Sequence, residues 1–194
     1  MKIAITGNIG SGKSEVTQVL SSLGYYCYSA DDINHNLHKK KSIKSRVLKI
    51  LELDVYDLEE IAKVIFSDEV KKRKLEEYLH PLILKEIRKL EKKCDICFVE
   101  VPLLYETGWE VHFEHTIVCS TEKNIAIDRL VNSRGMTKSD ATTRYNSQMD
   151  SKLNEENASY VIYNNSTKEE LHQEVLKLVE VLKEDGIIKE NEEI

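Results

Sequence analysis

The sequence predicts an α/β domain built on a parallel sheet, with a helical lobe inserted into it. Short apolar, strand-like runs alternate with segments of helical periodicity. The runs at 96–101 and 115–119 are mostly apolar, as in strands covered on both faces. The stretch 33–93, between the second and third strands, reads as helix almost throughout and is too long for a simple crossover.

Each element follows from its residues. Lys2–Thr6 is a short, mostly apolar run that leads straight into Gly7, which marks a buried first strand. Val16, Val19, Leu20 and Leu23 recur at helical spacing, and Gly24 stops that helix. Residues 25–28 are aromatic and strand-like. Across 33–93, Val47, Ile50, Leu51, Ile61, Ile65, Leu75 and Leu79 mark the inner faces of Lys/Glu-rich helices, expected to form a lobe over the strand ends. Pro81 reads as the opening of a helix within this stretch. The third strand, 96–101, ends at Pro102, which turns the chain outward. The fourth, 115–119, precedes a helix over 121–133. Tyr160–Tyr163 is the last strand, and 168–183 an amphipathic closing helix. No internal repeat and no Pro- or Ser-rich linker divides the chain.

The 194 residues are 41% hydrophobic, enough for a core and unlike a disordered chain. No apolar run approaches the ~20 residues of a bilayer span. A net charge of −6 argues against a general nucleic-acid binder. Most of that charge lies in the last fifteen residues, read as an acidic tail. The first residues carry no signal-peptide pattern. With four cysteines, this predicts a reducing cytoplasm rather than a disulfide framework. Nothing in the sequence sets an oligomeric state.

The strongest motif is Gly7-Asn8-Ile9-Gly10-Ser11-Gly12-Lys13-Ser14, which fits G-x-x-x-x-G-K-[ST] between a strand and a helix. Its glycines let successive backbone amides turn inward around a phosphate, and the following helix adds its positive end. Lys13 is placed to reach the β/γ-phosphates of ATP or GTP, and the Ser14 hydroxyl to bind Mg²⁺. Glu15 stands where a dinucleotide fingerprint needs its third glycine, which excludes that reading. A guanine-reading Asn-Lys-x-Asp is absent, which argues against a GTPase switch.

Other residues read two ways. Asp31 and Asp32 follow the second strand, where ligands meet a parallel sheet. They are either a helix cap or carboxylates that take a proton from an attacking hydroxyl or help hold Mg²⁺. Arg129, Arg134 and Arg144 are half of the chain's six arginines, set on a mobile hairpin over phosphate or on a solvated helix pair. His80, before Pro81, is structural or functional. Cys94 and Cys97 have C-x-x-C spacing but no second pair, and read as buried strand cysteines rather than zinc ligands. Lys39-Lys40-Lys41 reads as a solvated helix face.

These motifs, in this order, resemble the dephospho-CoA kinase family from residue 1 to about 182. The match includes the phosphate loop, Ala30-Asp31, Phe66-Ser67-Asp68, His80-Pro81-Leu82-Ile83 and Val101-Pro102-Leu103-Leu104-Tyr105-Glu106. It continues through Arg129-Leu130, Arg134-Gly135-Met136, Arg144 with Gln148, Tyr160-Val161-Ile162 and Asn164-Asn165. The resemblance implies a P-loop kinase core with an inserted helical acceptor-binding lobe (33–93) and a short arginine-bearing lid (129–149), in one domain ending near 182 before a tail at 183–194. It implies ATP with Mg²⁺ and transfer to the ribose 3′-hydroxyl of dephospho-CoA, a small-molecule substrate. Other small-metabolite kinases and a non-catalytic nucleotide-binding protein are the alternatives.

By the same resemblance Asn8, Gly10, Ser11, Gly12, Lys13, Ser14 and Glu15 hold ATP, with Ser14 on the metal. Lys13, Asp31 and Arg134 carry catalysis, Arg129 packs on the adenine, and Asp31, His80 and Arg144 bind the acceptor. Ser29 stands where many members have a first Asp, and Glu100 where an Asp is frequent. The helical region before Phe66 is compressed, with Leu58 where members often carry an arginine.

Overall fold

The structure, a computed structural model, describes residues 1–90 and 92–189. Along the chain run β1 (Lys2–Thr6), α1 (Lys13–Ser22), β2 (Tyr26–Ser29), α2 (Ala30–His38), α3 (Lys41–Leu51), α4 (Leu58–Ser67) and α5 (Glu69–Leu90). There follow β3 (Cys97–Glu100), a 3-10 turn at Trp109–His112, β4 (His115–Ser120), α6 (Lys123–Arg134), α7 (Lys138–Asn146), α8 (Ser151–Asn157), β5 (Tyr160–Tyr163) and α9 (Lys168–Glu184). They divide into two compact units: the first is Met1–Tyr28 together with the described residues from Cys94 onward, and the second is Ser29–Lys93.

The first unit holds the sheet, in the order β2-β3-β1-β4-β5. β1 pairs in parallel with β3 and β4, and β4 with β5. The central strand is apolar because it is covered on both faces, and Ile3, Ala4 and Ile5 are fully buried. Ile3, Ile5, Phe98, Ile117 and Ile162 of the sheet share one core with Val16 and Leu20 of α1 and with Val175 and Leu182 of α9. After β1 the chain runs out to the edge strand β2, returns to β3 beside β1, and then crosses to β4 on the other side. The carboxyl end of β1 therefore opens at a topological switch point, where open α/β sheets bind ligands. α6 and α7 form a helical hairpin with a small core of its own, Ile127, Leu130 and Ala141.

The second unit is helical. α5 packs against α2, α3 and α4 through Leu75, Leu79, Ile83 and Ile87, a four-residue spacing that keeps one face inward. Three details correct the sequence reading. Pro81 does not open a helix but lies inside α5, on its exposed side, opposite the buried stripe that holds the helix through the missing N–H. α2 starts at Ala30 rather than near 33, because the Ser29 hydroxyl caps it by accepting from the Asp32 N–H at 3.2 Å. Lys39-Lys40-Lys41 is not one helix face but the joint between α2 and α3, with Lys39 bonded to Asn36 and Lys40 3.9 Å from Glu86.

The segment read as an acidic tail is partly core. Lys183 and Glu184 end α9, and Gly186 turns the chain with a positive φ of 69° while Gly186, Ile187 and Ile188 donate back to the last carbonyls of the helix. That turn buries Ile188 on the sheet side. Residues 190–194 lie outside the described residues. The four cysteines are free, and burial pushes the Cys97 thiol up to about 12. Among the described residues no cluster of metal-binding side chains occurs.

Candidate active site

The phosphate loop, residues 7–12, leaves β1 at the switch point and enters α1. Gly7 and Gly12 are required twice over. Both have positive φ (143° and 94°), and a Cβ at Gly12 would sit 2.2 Å from Asn164 Nδ2, at Gly7 2.1 Å from the Cys119 carbonyl. The loop is thus pressed against the ends of β4 and β5. There the Ser11 carbonyl accepts from Asn164 Nδ2 at 2.7 Å, Cys119 Sγ at 3.0 Å and Thr121 Oγ1 at 3.1 Å. In a trans peptide the N–H points opposite to the C=O, so these three donors turn the Gly12 amide to the other side of the loop. The buried Cys119 thiol, pushed up to about 11 by burial, stays protonated and serves as a donor.

Lys13 is nearly buried, its ammonium donating to the carbonyls of Gly7 at 2.7 Å and Asn8 at 3.2 Å. Ser14 Oγ lies 3.4 Å from Glu100 Oε1 at the end of β3. A hydroxyl and a carboxylate side by side are the oxygen donors that Mg²⁺ takes together with phosphate and water. Glu15 pairs with Lys168 at 3.3 Å. Asn8 is buried, and its amide is used internally: Nδ2 donates to the Met149 carbonyl and Oδ1 accepts from Asn154.

Arg129, on α6, lays its guanidinium along the turn after β5. It donates from Nη1 to the Asn164 carbonyl at 3.1 Å and from Nη2 to Asn164 Oδ1 at 3.1 Å and the Ser166 carbonyl at 3.3 Å. Arg134 is the exposed last residue of α6, and Arg144 is exposed on α7. The first unit thus brings together the phosphate loop, Glu100 and, through Asn164, Arg129, and it carries Arg134 and Arg144 on the hairpin of α6 and α7.

Asp31 and His80 belong to the second unit, on α2 and α5, which pack against each other. Asp31 is not the cap of α2. It lies exposed in its first turn, where a carboxylate meets the positive helix end. Burial holds His80 below the usual imidazole range, against a smaller opposing pull from Glu76. Burial likewise lowers His38, whose ring meets the Tyr56 hydroxyl. Both imidazoles are therefore favoured neutral in the fold. Between the folded and unfolded values the unfolded chain binds more protons, so stability falls as pH drops through the normal imidazole value. Thermal melting is expected to decline from pH 7.5 to 5.5, and His80→Asn to reduce that decline; an unchanged slope would remove His80 as a contributor.

Sequence reasoning did not single out Glu100, Thr121 or Asn164 as site residues. Glu100 was legible as the one charge closing an apolar strand. Thr121 and Asn164 act through contacts to Ser11 over more than a hundred residues of chain, which no spacing rule reveals.

A glycine-rich phosphate loop at a parallel sheet's switch point, with Lys-Ser opening the next helix and arginines on a nearby hairpin, defines a P-loop kinase. Shikimate kinase from Acinetobacter baumannii shares the fold, with a TM-score of 0.56 at 15% identity, covering 94% of both chains. The dephospho-CoA kinase family model matches residues 1–170, and the chain belongs to that family. It is 34% identical to the dephospho-CoA kinase of Aquifex aeolicus, over 95% of this chain and 98% of that one. With the Chlamydia pneumoniae enzyme it shares 32% identity over 94% and 96%. The dephospho-CoA kinase structure from Campylobacter jejuni superposes with a TM-score of 0.71 at 25% identity, covering 96% of this chain and all of that one.

Proposed function

We propose that this chain transfers the γ-phosphoryl group of ATP to the ribose 3′-hydroxyl of dephospho-CoA, giving coenzyme A and ADP. The observation that carries the reading is a phosphate loop with Lys13 and Ser14 in place, inside a chain that the family model matches over residues 1–170. The loop amides and the start of α1 hold the phosphates. Lys13 and Arg134 neutralise charge on the transferring group, and Arg129 packs against the adenine. Ser14 and Glu100 would hold Mg²⁺, which supplies charge neutralisation on the phosphate oxygens when bound. Asp31 takes the proton of the 3′-hydroxyl, while His80 and Arg144 contact the acceptor or the closed hairpin. The helical unit is the acceptor lobe.

Ser29 in place of a first Asp is the best argument for a non-catalytic relative; against it, Asp31 keeps a carboxylate in the first turn of α2 while the Ser29 hydroxyl caps that helix. No described helix is long and apolar enough to cross a membrane, and a cytoplasmic location belongs to this proposal. ADP release from ATP–Mg²⁺ against dephospho-CoA, nucleosides, shikimate and water alone tests it. Dephospho-CoA is expected to exceed every other acceptor, and turnover no faster than with water would overturn the reading.

A further inference from the structure

The segment that follows α7 grips the first half of the phosphate loop. Gln148 Oε1 accepts from the Ile9 N–H at 2.6 Å, the Met149 carbonyl accepts from Asn8 Nδ2 at 3.0 Å, and Asn154 Nδ2 donates to Asn8 Oδ1 at 3.1 Å. Glu106 fixes the gripping segment in turn, accepting from the Met149 N–H at 3.0 Å. Gln148 itself is anchored to the helix end, its N–H on the Tyr145 carbonyl at 3.3 Å.

The peptide held by Gln148 matters because of its other end. Its carbonyl, that of Asn8, accepts from the Ser11 N–H at 3.1 Å and from the Lys13 ammonium at 3.2 Å. One peptide plane is therefore clamped at both ends, by Gln148 on its N–H and by Lys13 and Ser11 on its C=O. Peptide planes rotate as units, so whatever sets the N–H direction also sets the carbonyl that Lys13 leans on. Arg144 lies four residues before Gln148, on the helix that Gln148 follows.

We propose that Gln148 is a positioning residue for phosphoryl transfer: its side-chain carbonyl fixes the Asn8–Ile9 peptide, and through it Lys13, in register with the arginine hairpin. This rests on the kinase reading above and adds a residue whose action runs through the loop rather than through substrate. The hydrogen bond is made by a neutral acceptor, which holds the amide without adding negative charge beside bound phosphate.

Gln148→Met keeps the chain length and removes the acceptor; Gln148→Glu keeps an acceptor oxygen and adds a charge. Gln148→Met is expected to lower kcat about tenfold, as a small misplacement of a catalytic group does. Gln148→Glu is expected to recover most of kcat while raising the KM for ATP. Hydrogen exchange at the Ile9 amide, followed by NMR, should quicken in Gln148→Met and stay protected in Gln148→Glu. The kcat losses of Gln148→Met and Arg144→Ala should combine less than multiplicatively. Unchanged kcat in Gln148→Met, equal impairment in the two Gln148 variants, an unaltered Ile9 exchange rate, or independent losses with Arg144→Ala would each overturn the proposal. A wild-type enzyme inactive on dephospho-CoA would instead overturn the kinase reading, and Ile9 exchange would still test the clamp.

Discussion

Replacing Lys13 with methionine is expected to lower kcat by about 10³-fold, in the range for loss of one preorganised charge-stabilising donor. Two effects add. The ammonium is the nearest cation to the loop that receives the phosphates, and its removal leaves charge on the transferring group uncompensated. Lys13 also bonds the carbonyls of Gly7 and Asn8 in a nearly buried position, so methionine leaves two acceptors without that donor. Binding of a non-hydrolysable ATP analogue, measured by calorimetry, should weaken far less than kcat falls, because the loop amides remain. Lys13→Arg should fail nearly as badly. Its charge is retained, but a planar fork does not fit a site shaped for one compact ammonium between two carbonyls. A kcat within a few-fold of wild type for Lys13→Met would remove Lys13 from the chemistry and leave it a brace of the loop.

How much of this site the sequence showed depended on the reach of each interaction. The phosphate loop was legible because its chemistry is local: Gly7 to Ser14 are contiguous, and strand and helix flank them. The strands and the helical unit were legible in outline, the strands from mostly apolar runs such as 96–101 and the helical unit from apolar spacing across 33–93, but the order of the strands in the sheet was not. The supports of the loop were not legible. Cys119, Thr121 and Asn164 converge on one carbonyl from the ends of two other strands, and Gln148 comes from the far end of a hairpin. A hydrogen bond spanning that much chain has no periodicity to detect. Pro81 and the last residues misled for a related reason. The backbone rule for proline and the summed charge of the last residues are both local. Yet packing of Leu79, Ile83 and Ile87 carries α5 through Pro81, and the turn at Gly186 buries Ile188 within an otherwise acidic segment.

Asp31→Asn is expected to lower kcat by about 10²–10⁴-fold, the usual contribution of a positioned general base. The affinity for ATP analogue should hold, since Asp31 lies in the helical unit and not in the phosphate loop. The competing explanation is that Asp31 only stabilises α2. The cap of that helix is the Ser29 hydroxyl on the Asp32 N–H, and Asn at position 31 leaves it untouched. What Asp31→Asn removes from stability is its charge near the helix start, worth about 0.3–1 kcal/mol at an exposed position. Ser29→Ala makes the opposite change, with an expected stability loss of about 1 kcal/mol from the missing cap and the carboxylate at 31 retained. The two variants therefore separate capping from chemistry. Ser29→Ala should melt earlier and still turn over, while Asp31→Asn should melt almost normally and turn over slowly. Ser29→Asp restores a side chain that caps as well as serine does, so it should match wild type in both measurements. That equivalence explains how a chain of this family keeps its second helix without the first carboxylate of the pair. Wild-type turnover by Asp31→Asn would reduce Asp31 to a helix-start charge and move the search for the base elsewhere.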